Sequence, residues 1–191
     1  MNRADAVEEL KRVYAVLNAD LELARAATLG DPSEFNKRTL VRTCAALVEG
    51  LAFQLRQVTL STLRETKLLT EGELAILRET KAQLSIQGAA EERDNFQSTL
   101  PMLLFTLRVY AKNHGASFAP NTSDNGWNCL RKAMALRDRL MHPKSYEDLV
   151  VSEEAGAEFT AGIRWWDEAI AALLAACEAA DTKFRALEAP Q

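Results

Sequence analysis

The chain has 191 residues, 48% hydrophobic and 26% charged, with a net charge of −4. That balance predicts a single globular domain over residues 1–191 with a sizeable core, and it excludes a disordered or fibrous chain. The acidic sum is not that of a protein whose whole surface binds nucleic acid.

Good helix formers dominate, and the few Gly and Pro residues fall between periodic segments. Residues 3–29 predict a first helix, with Val7, Leu10, Tyr14, Leu17 and Leu21 recurring at threes and fours. Gly30 stops it, and Asp31-Pro32 offer an N-cap and a first-turn proline. The second helix is expected to run to about residue 68 on the stripe Leu40, Cys44, Leu47, Leu51, Leu55, Val58 and Thr62. Thr70 with Glu73 matches a capping box for a short third helix ending near Leu84. A polar connection is expected over 85–95, followed by a fourth helix over about 96–113 with Pro101 in its early turns. Residues 115–125 form a loop dense in turn formers.

A fifth helix starts at Asp124 or Asn125, directs Trp127, Leu130, Met134 and Met141 inward, and ends at Pro143. Ser152 opens the last helix, which extends to about residue 187 on the stripe Phe159, Ile163, Trp166, Ile170, Leu173, Cys177 and Phe184. Trp165 lies off that stripe, where it could pack at a subunit interface. No strand is expected. The fold class is all-α, an up-and-down helical bundle with long second and last helices.

Cys44, Cys129 and Cys177 are odd in number and far apart, which predicts reduced, buried thiols. The N-terminal MNRADAVEELKR lacks the apolar run of a signal peptide, and no apolar stretch approaches the ~18 residues of a membrane span. The expected location is therefore cytoplasmic, with no membrane partner. Two histidines and no ligand spacing leave no metal or cofactor to expect. A metal hydrolase built in a bundle would need Glu-x-x-His, which is absent.

Charge is unevenly distributed. From Arg131 to Lys144 five basic residues face one acid, Asp138, a net of +4 that leaves −8 to the rest of the chain. Within this island Arg137 continues the inward stripe, so its cation must face a partner, a cavity or an interface. His142 follows five residues later, about 140° away on an ideal helix. It precedes Pro143, which disfavours the helical conformation and frees the ring to swing toward the guanidinium. A fixed cation and a titratable imidazole are what metal-free cleavage of RNA requires. A base must activate the 2′-OH, an acid must protonate the leaving oxygen, and positive charge must hold the phosphate. One copy supplies one histidine for two proton transfers, and a two-fold dimer supplies the second.

Arg137-Asp138-Arg139-Leu140-Met141-His142, placed at a helix end in an all-α chain, resembles the Arg-polar-x-x-x-His motif of the HEPN superfamily. The resemblance implies a dimeric helical domain, often a metal-independent endoribonuclease of toxin–antitoxin, phage-defence or RNA-processing systems, with two motifs facing each other across a cleft. Arg137, His142 and Asp138 would then form the catalytic set on single-stranded RNA. Arg139, Lys144 and Arg131 would contact its phosphates, and a cognate antitoxin or regulatory protein would be a partner. One toxin branch carries His-x-Tyr, and here Lys144 stands in the tyrosine's place. Alternatively, the chain is a non-catalytic helical interaction or regulatory module. His114, next to Gly115 at the end of the fourth helix, stands where a histidine commonly sits for its charge alone, with a second acid or base as the lesser alternative.

Overall fold

Six α-helices lie among the residues described by the structure, a computed structural model covering 2–62 and 68–188. They are α1 (Arg3–Gly30), α2 (Glu34–Ser61), α3 (Glu71–Arg78), α4 (Thr99–Asn113), α5 (Asn125–Met141) and α6 (Glu153–Glu188). A short hairpin of β1 (Thr80–Leu84) and β2 (Ala90–Asp94) separates α3 from α4, and a 3-10 turn spans Glu147–Leu149. The all-α class holds, with α2 of 28 and α6 of 36 residues as the long elements. The stretch of the expected second helix beyond Ser61 lies partly outside the described residues. No helix among those described is long and apolar enough to cross a membrane.

Local signals place most helix starts. Thr70 and Glu73 form the reciprocal capping box of α3. The Asp124 carboxylate accepts the Trp127 N–H at 2.9 Å to open α5, and the Ser152 hydroxyl accepts the Ala155 N–H at 3.2 Å to open α6. Helix α2 begins at Glu34, later than Asp31-Pro32 implied, because Asp31 instead closes a local turn with the Ser33 N–H.

The hairpin corrects the expectation of no strand and of a third helix reaching Leu84. Helix α3 stops at Arg78 because Glu79 adopts a left-handed conformation (φ 55°), and the Glu79 carboxylate pairs with Arg56 at 2.9 Å. The chain then pairs Thr80 with Asp94 through Leu84 with Ala90, turning where Gly88 takes a φ of 76°. Almost every strand residue is exposed. Neither face covers a core, so the sequence carries no alternation to read.

The chain divides into two compact units, one of residues 1–7, 52–119 and 173–191 and the other of 8–51 and 120–172. The first has a small core of Leu69, Leu77 and Val109, with Leu60, Leu74 and Phe105 packed against it. The second buries Leu21, Val41, Cys44, Leu47 and Val48 of α1 and α2. It also buries Leu130, Met134, Leu136 and Leu140 of α5, and Ile163, Trp165 and Trp166 of α6. All three cysteines are buried and free, and burial pushes the Cys44 and Cys177 thiols up to about 11.

Trp165 therefore belongs to the interior of its own chain rather than to a subunit interface. Its indole N–H donates to the Asn121 carbonyl at 2.9 Å, and its ring lies tilted against that of Trp127 at 5.2 Å. Three other stripe residues, Tyr14, Met141 and Phe184, are exposed. Met141 is the last residue of α5, next to the buried Leu140.

Helices α5 and α6 approach to backbone contact at Gly162, where an added Cβ would lie 2.6 Å from the Leu130 nitrogen. Backbone cannot yield as a flexible side chain can, so Gly162→Ala should cost about 1–3 kcal/mol. Gly156→Ala, in the first turns of the same helix with nothing within 4 Å, should instead gain up to about 1 kcal/mol. Thermal unfolding followed by circular dichroism reads the opposite signs.

Candidate functional site

Helix α5 presents Leu130, Ala133, Met134, Leu136 and Leu140 to the interior, and Arg137 sits at the edge of that arc with its side chain 27% exposed. The guanidinium finds its partner on α2. Nη2 donates to Glu49 Oε2, and Nη1 donates to Asp138 Oδ1 at 2.7 Å. Burial opposes the charge of Arg137, but the Asp138 hydrogen bond and the Glu49 charge outweigh it and hold its pKa above the ordinary arginine value. The two carboxylates differ in setting, with Glu49 as covered as the arginine and Asp138 64% exposed. Glu49 is the site residue that sequence reasoning missed. The stripe position of Arg137 demanded an acid, but no local spacing says which helix supplies it.

His142 caps the C-terminus of α5 with φ −130° and ψ 59°, off the helix as its place before Pro143 predicts. Its N–H donates to the Asp138 carbonyl at 3.0 Å. The imidazole is exposed and makes no hydrogen bond with any described residue. Beyond it the Asp148 carboxylate accepts the N–H groups of Lys144 and Ser145 at 2.9 and 3.1 Å, and the Lys144 bond is the main cause of its lowered pKa.

Helix α2 grips this segment at three more points. Arg42 Nη2 donates to the Leu140 carbonyl at 2.7 Å and Arg38 Nη1 to the Leu149 carbonyl at 3.0 Å. Glu34 Oε2 accepts the Val151 N–H at 2.9 Å. That bond, followed by the Lys37 ammonium, holds the Glu34 carboxyl below its usual range. A depressed carboxyl stabilises the fold above its ordinary pKa and loses that contribution as pH falls through the folded value.

The other predicted residues are less tightly gathered. Arg131 and Lys144 are exposed. Arg139 lies about 200° round the helix from Arg137 and lines a shallow cleft of about 480 Å³ with Lys132 and with Glu154 and Glu158 of α6. His114 belongs to the other compact unit. Its Nε2 is buried without a hydrogen-bond partner, its ring lies 4.7 Å from Tyr110, and burial pushes its pKa below the histidine norm. Among the described residues no group of three or more His, Cys, Asp or Glu is placed to hold a metal ion.

Chemically, α5 thus ends in a cation clamped by two acids and an exposed imidazole. Two of the five guanidinium donors are engaged, so three remain for an anion. Removing one partner of a covered pair strands the other charge. Glu49→Ala should therefore cost about 1–3 kcal/mol in urea unfolding, whereas Asp138→Ala should cost about 0–1 kcal/mol. Equal losses would show that Arg137 does not depend on α2.

Neither a family model, nor a curated protein, nor a solved structure matches this chain.

Proposed function

We propose that the protein is a metal-independent endoribonuclease of HEPN type acting on single-stranded RNA as a homodimer in the cytoplasm. The observation that carries the reading is the end of α5, where Arg137 is held by Glu49 and Asp138 while the imidazole of His142, five residues on, is exposed. In this reading Arg137 binds the scissile phosphate through its remaining donors. His142 takes the proton of the 2′-OH or returns one to the leaving 5′-oxygen, and the second copy's histidine does the other. Asp138 orients the guanidinium, and Arg139, Lys144 and Arg131 draw in the backbone.

The dimeric part of the proposal is supported by Met141, 50% exposed and next to His142 in the chain, and Tyr146, 75% exposed and four residues beyond it. A cognate antitoxin or regulatory protein is proposed on the resemblance alone.

A second reading, a non-catalytic interaction module, draws on the same salt bridges. Two carboxylates on one guanidinium leave that spot with a net negative charge, which is poor for phosphate unless a substrate displaces the exposed Asp138.

Cleavage of a mixed single-stranded RNA in EDTA separates the two readings. The nuclease should release products ending in 2′,3′-cyclic phosphate, and Arg137→Ala and His142→Ala should each abolish them, with helicity and dimerisation unchanged in His142→Ala. RNA binding should also weaken steeply with salt. A folded wild type that neither cleaves nor binds RNA is the interaction module, and cleavage persisting in pure His142→Ala removes the catalytic assignment.

A further inference from the structure

Glu34, Arg38 and Arg42 stand four residues apart on α2, and each binds main chain in the segment 140–151. With Glu49 they occupy an arc of roughly 80° on the helix surface. The Arg42 contact is the one closest in sequence to His142, and the backbone itself creates the need for it.

In a continuing helix the Arg139 and Leu140 carbonyls would accept the N–H groups of residues 143 and 144. Residue 143 is proline and has none. The Lys144 N–H has turned away to Asp148. The Leu140 carbonyl is thus left with no main-chain donor, and the guanidinium of Arg42 takes it at 2.7 Å. The bond is charge-assisted and sits at the negative end of the helix, so both its strength and its sign are favourable.

Two anchors result, Arg42 on Leu140 before the histidine and Asp148 on Lys144 and Ser145 after it. Only Met141, His142 and Pro143 lie between them, and the ring of Pro143 fixes one of the remaining torsions. The His142 N–H is itself bound to the Asp138 carbonyl. The His142 α-carbon is therefore held between an anchor from α2 and one from Asp148, with little backbone freedom beside its own side-chain torsions.

We infer that Arg42 is a positioning residue, which places His142 by tying off the Leu140 carbonyl at the end of α5. Its consequence for cleavage rests on the proposed ribonuclease reading, whereas its consequence for the backbone does not.

The test uses the full chain as wild type, Arg42→Gln and Arg42→Lys, with amide hydrogen exchange by NMR as the primary readout. In Arg42→Gln the His142 amide should exchange roughly tenfold faster, while the amides of Leu130 and Met134 stay protected. Arg42→Lys keeps a cationic donor and should restore much of the protection. Steady-state RNA cleavage should show a fall in kcat of the same order with KM unchanged, and no added effect of Arg42→Gln in a His142→Ala background.

Unchanged His142 exchange in Arg42→Gln overturns the proposal whatever the cleavage shows. So does a loss of protection that extends to Leu130, which would make Arg42 a support of the whole unit. A loss that falls on KM and fades with salt would make it a phosphate contact instead. If the wild type does not cleave RNA, the ribonuclease reading fails, and the exchange data still decide whether Arg42 places His142.

Discussion

An arginine side chain that is only 27% exposed requires an acid for its guanidinium, and here the acid stands 88 residues away in sequence. The bond between Arg137 and Glu49 decides how α5 is turned relative to α2. With Arg137 at the edge of the buried arc, Leu136 and Leu140 fall inside it and Asp138 and Arg139 outside. The same rotation brings the Leu140 carbonyl of α5 against the polar side of α2, where Arg42 takes it. Desolvating a charge is costly unless it is paired, so this contact tolerates no register shift. The apolar neighbours Met134 and Leu140, by contrast, would accept small displacements.

Much of this architecture was legible in the sequence because helix signals are local. Thr70 with Glu73, Asp124 and Ser152 each announced a helix start with side chains that serve the first turn. The long stripe from Cys44 to Thr62 predicted the buried side of α2, and Cys44, Leu47, Leu55, Val58 and Thr62 are buried along it. Arg137 and His142 were legible for a related reason. A charge on an apolar stripe, and an imidazole before a proline, are both conflicts that a sequence displays openly.

What the sequence hid is tertiary. The left-handed turn at Glu79 is stabilised by Arg56, a residue outside any window that a helix pattern surveys. The β-hairpin buries no face and so leaves no period. Trp165 looked misplaced on its helix because it packs on Trp127 and the Asn121 carbonyl rather than along the main stripe. Glu49 is one acid among many on the chain, and only the crossing of α2 with α5 selects it. The three contacts at 34, 38 and 42 were invisible for the same reason, since their partners are main-chain atoms and main-chain atoms have no residue type to recognise.

Because those partners are backbone groups, the hexapeptide from Arg137 to His142 is not a portable device. Set into another helix, it would keep its spacing and lose its geometry: the arginine would have no acid to hold it and the terminal carbonyl no cation to close it. The transferable unit is larger, comprising the stretch of α2 from Glu34 to Glu49 together with the strand of chain from Arg137 to Val151. Substitutions within that pair of segments are free to trade side chains wherever only main chain is read. Insertions of a single residue in either segment are not, because they would rotate one partner past the other and separate Arg137 from Glu49 and the Leu140 carbonyl from Arg42 in one step.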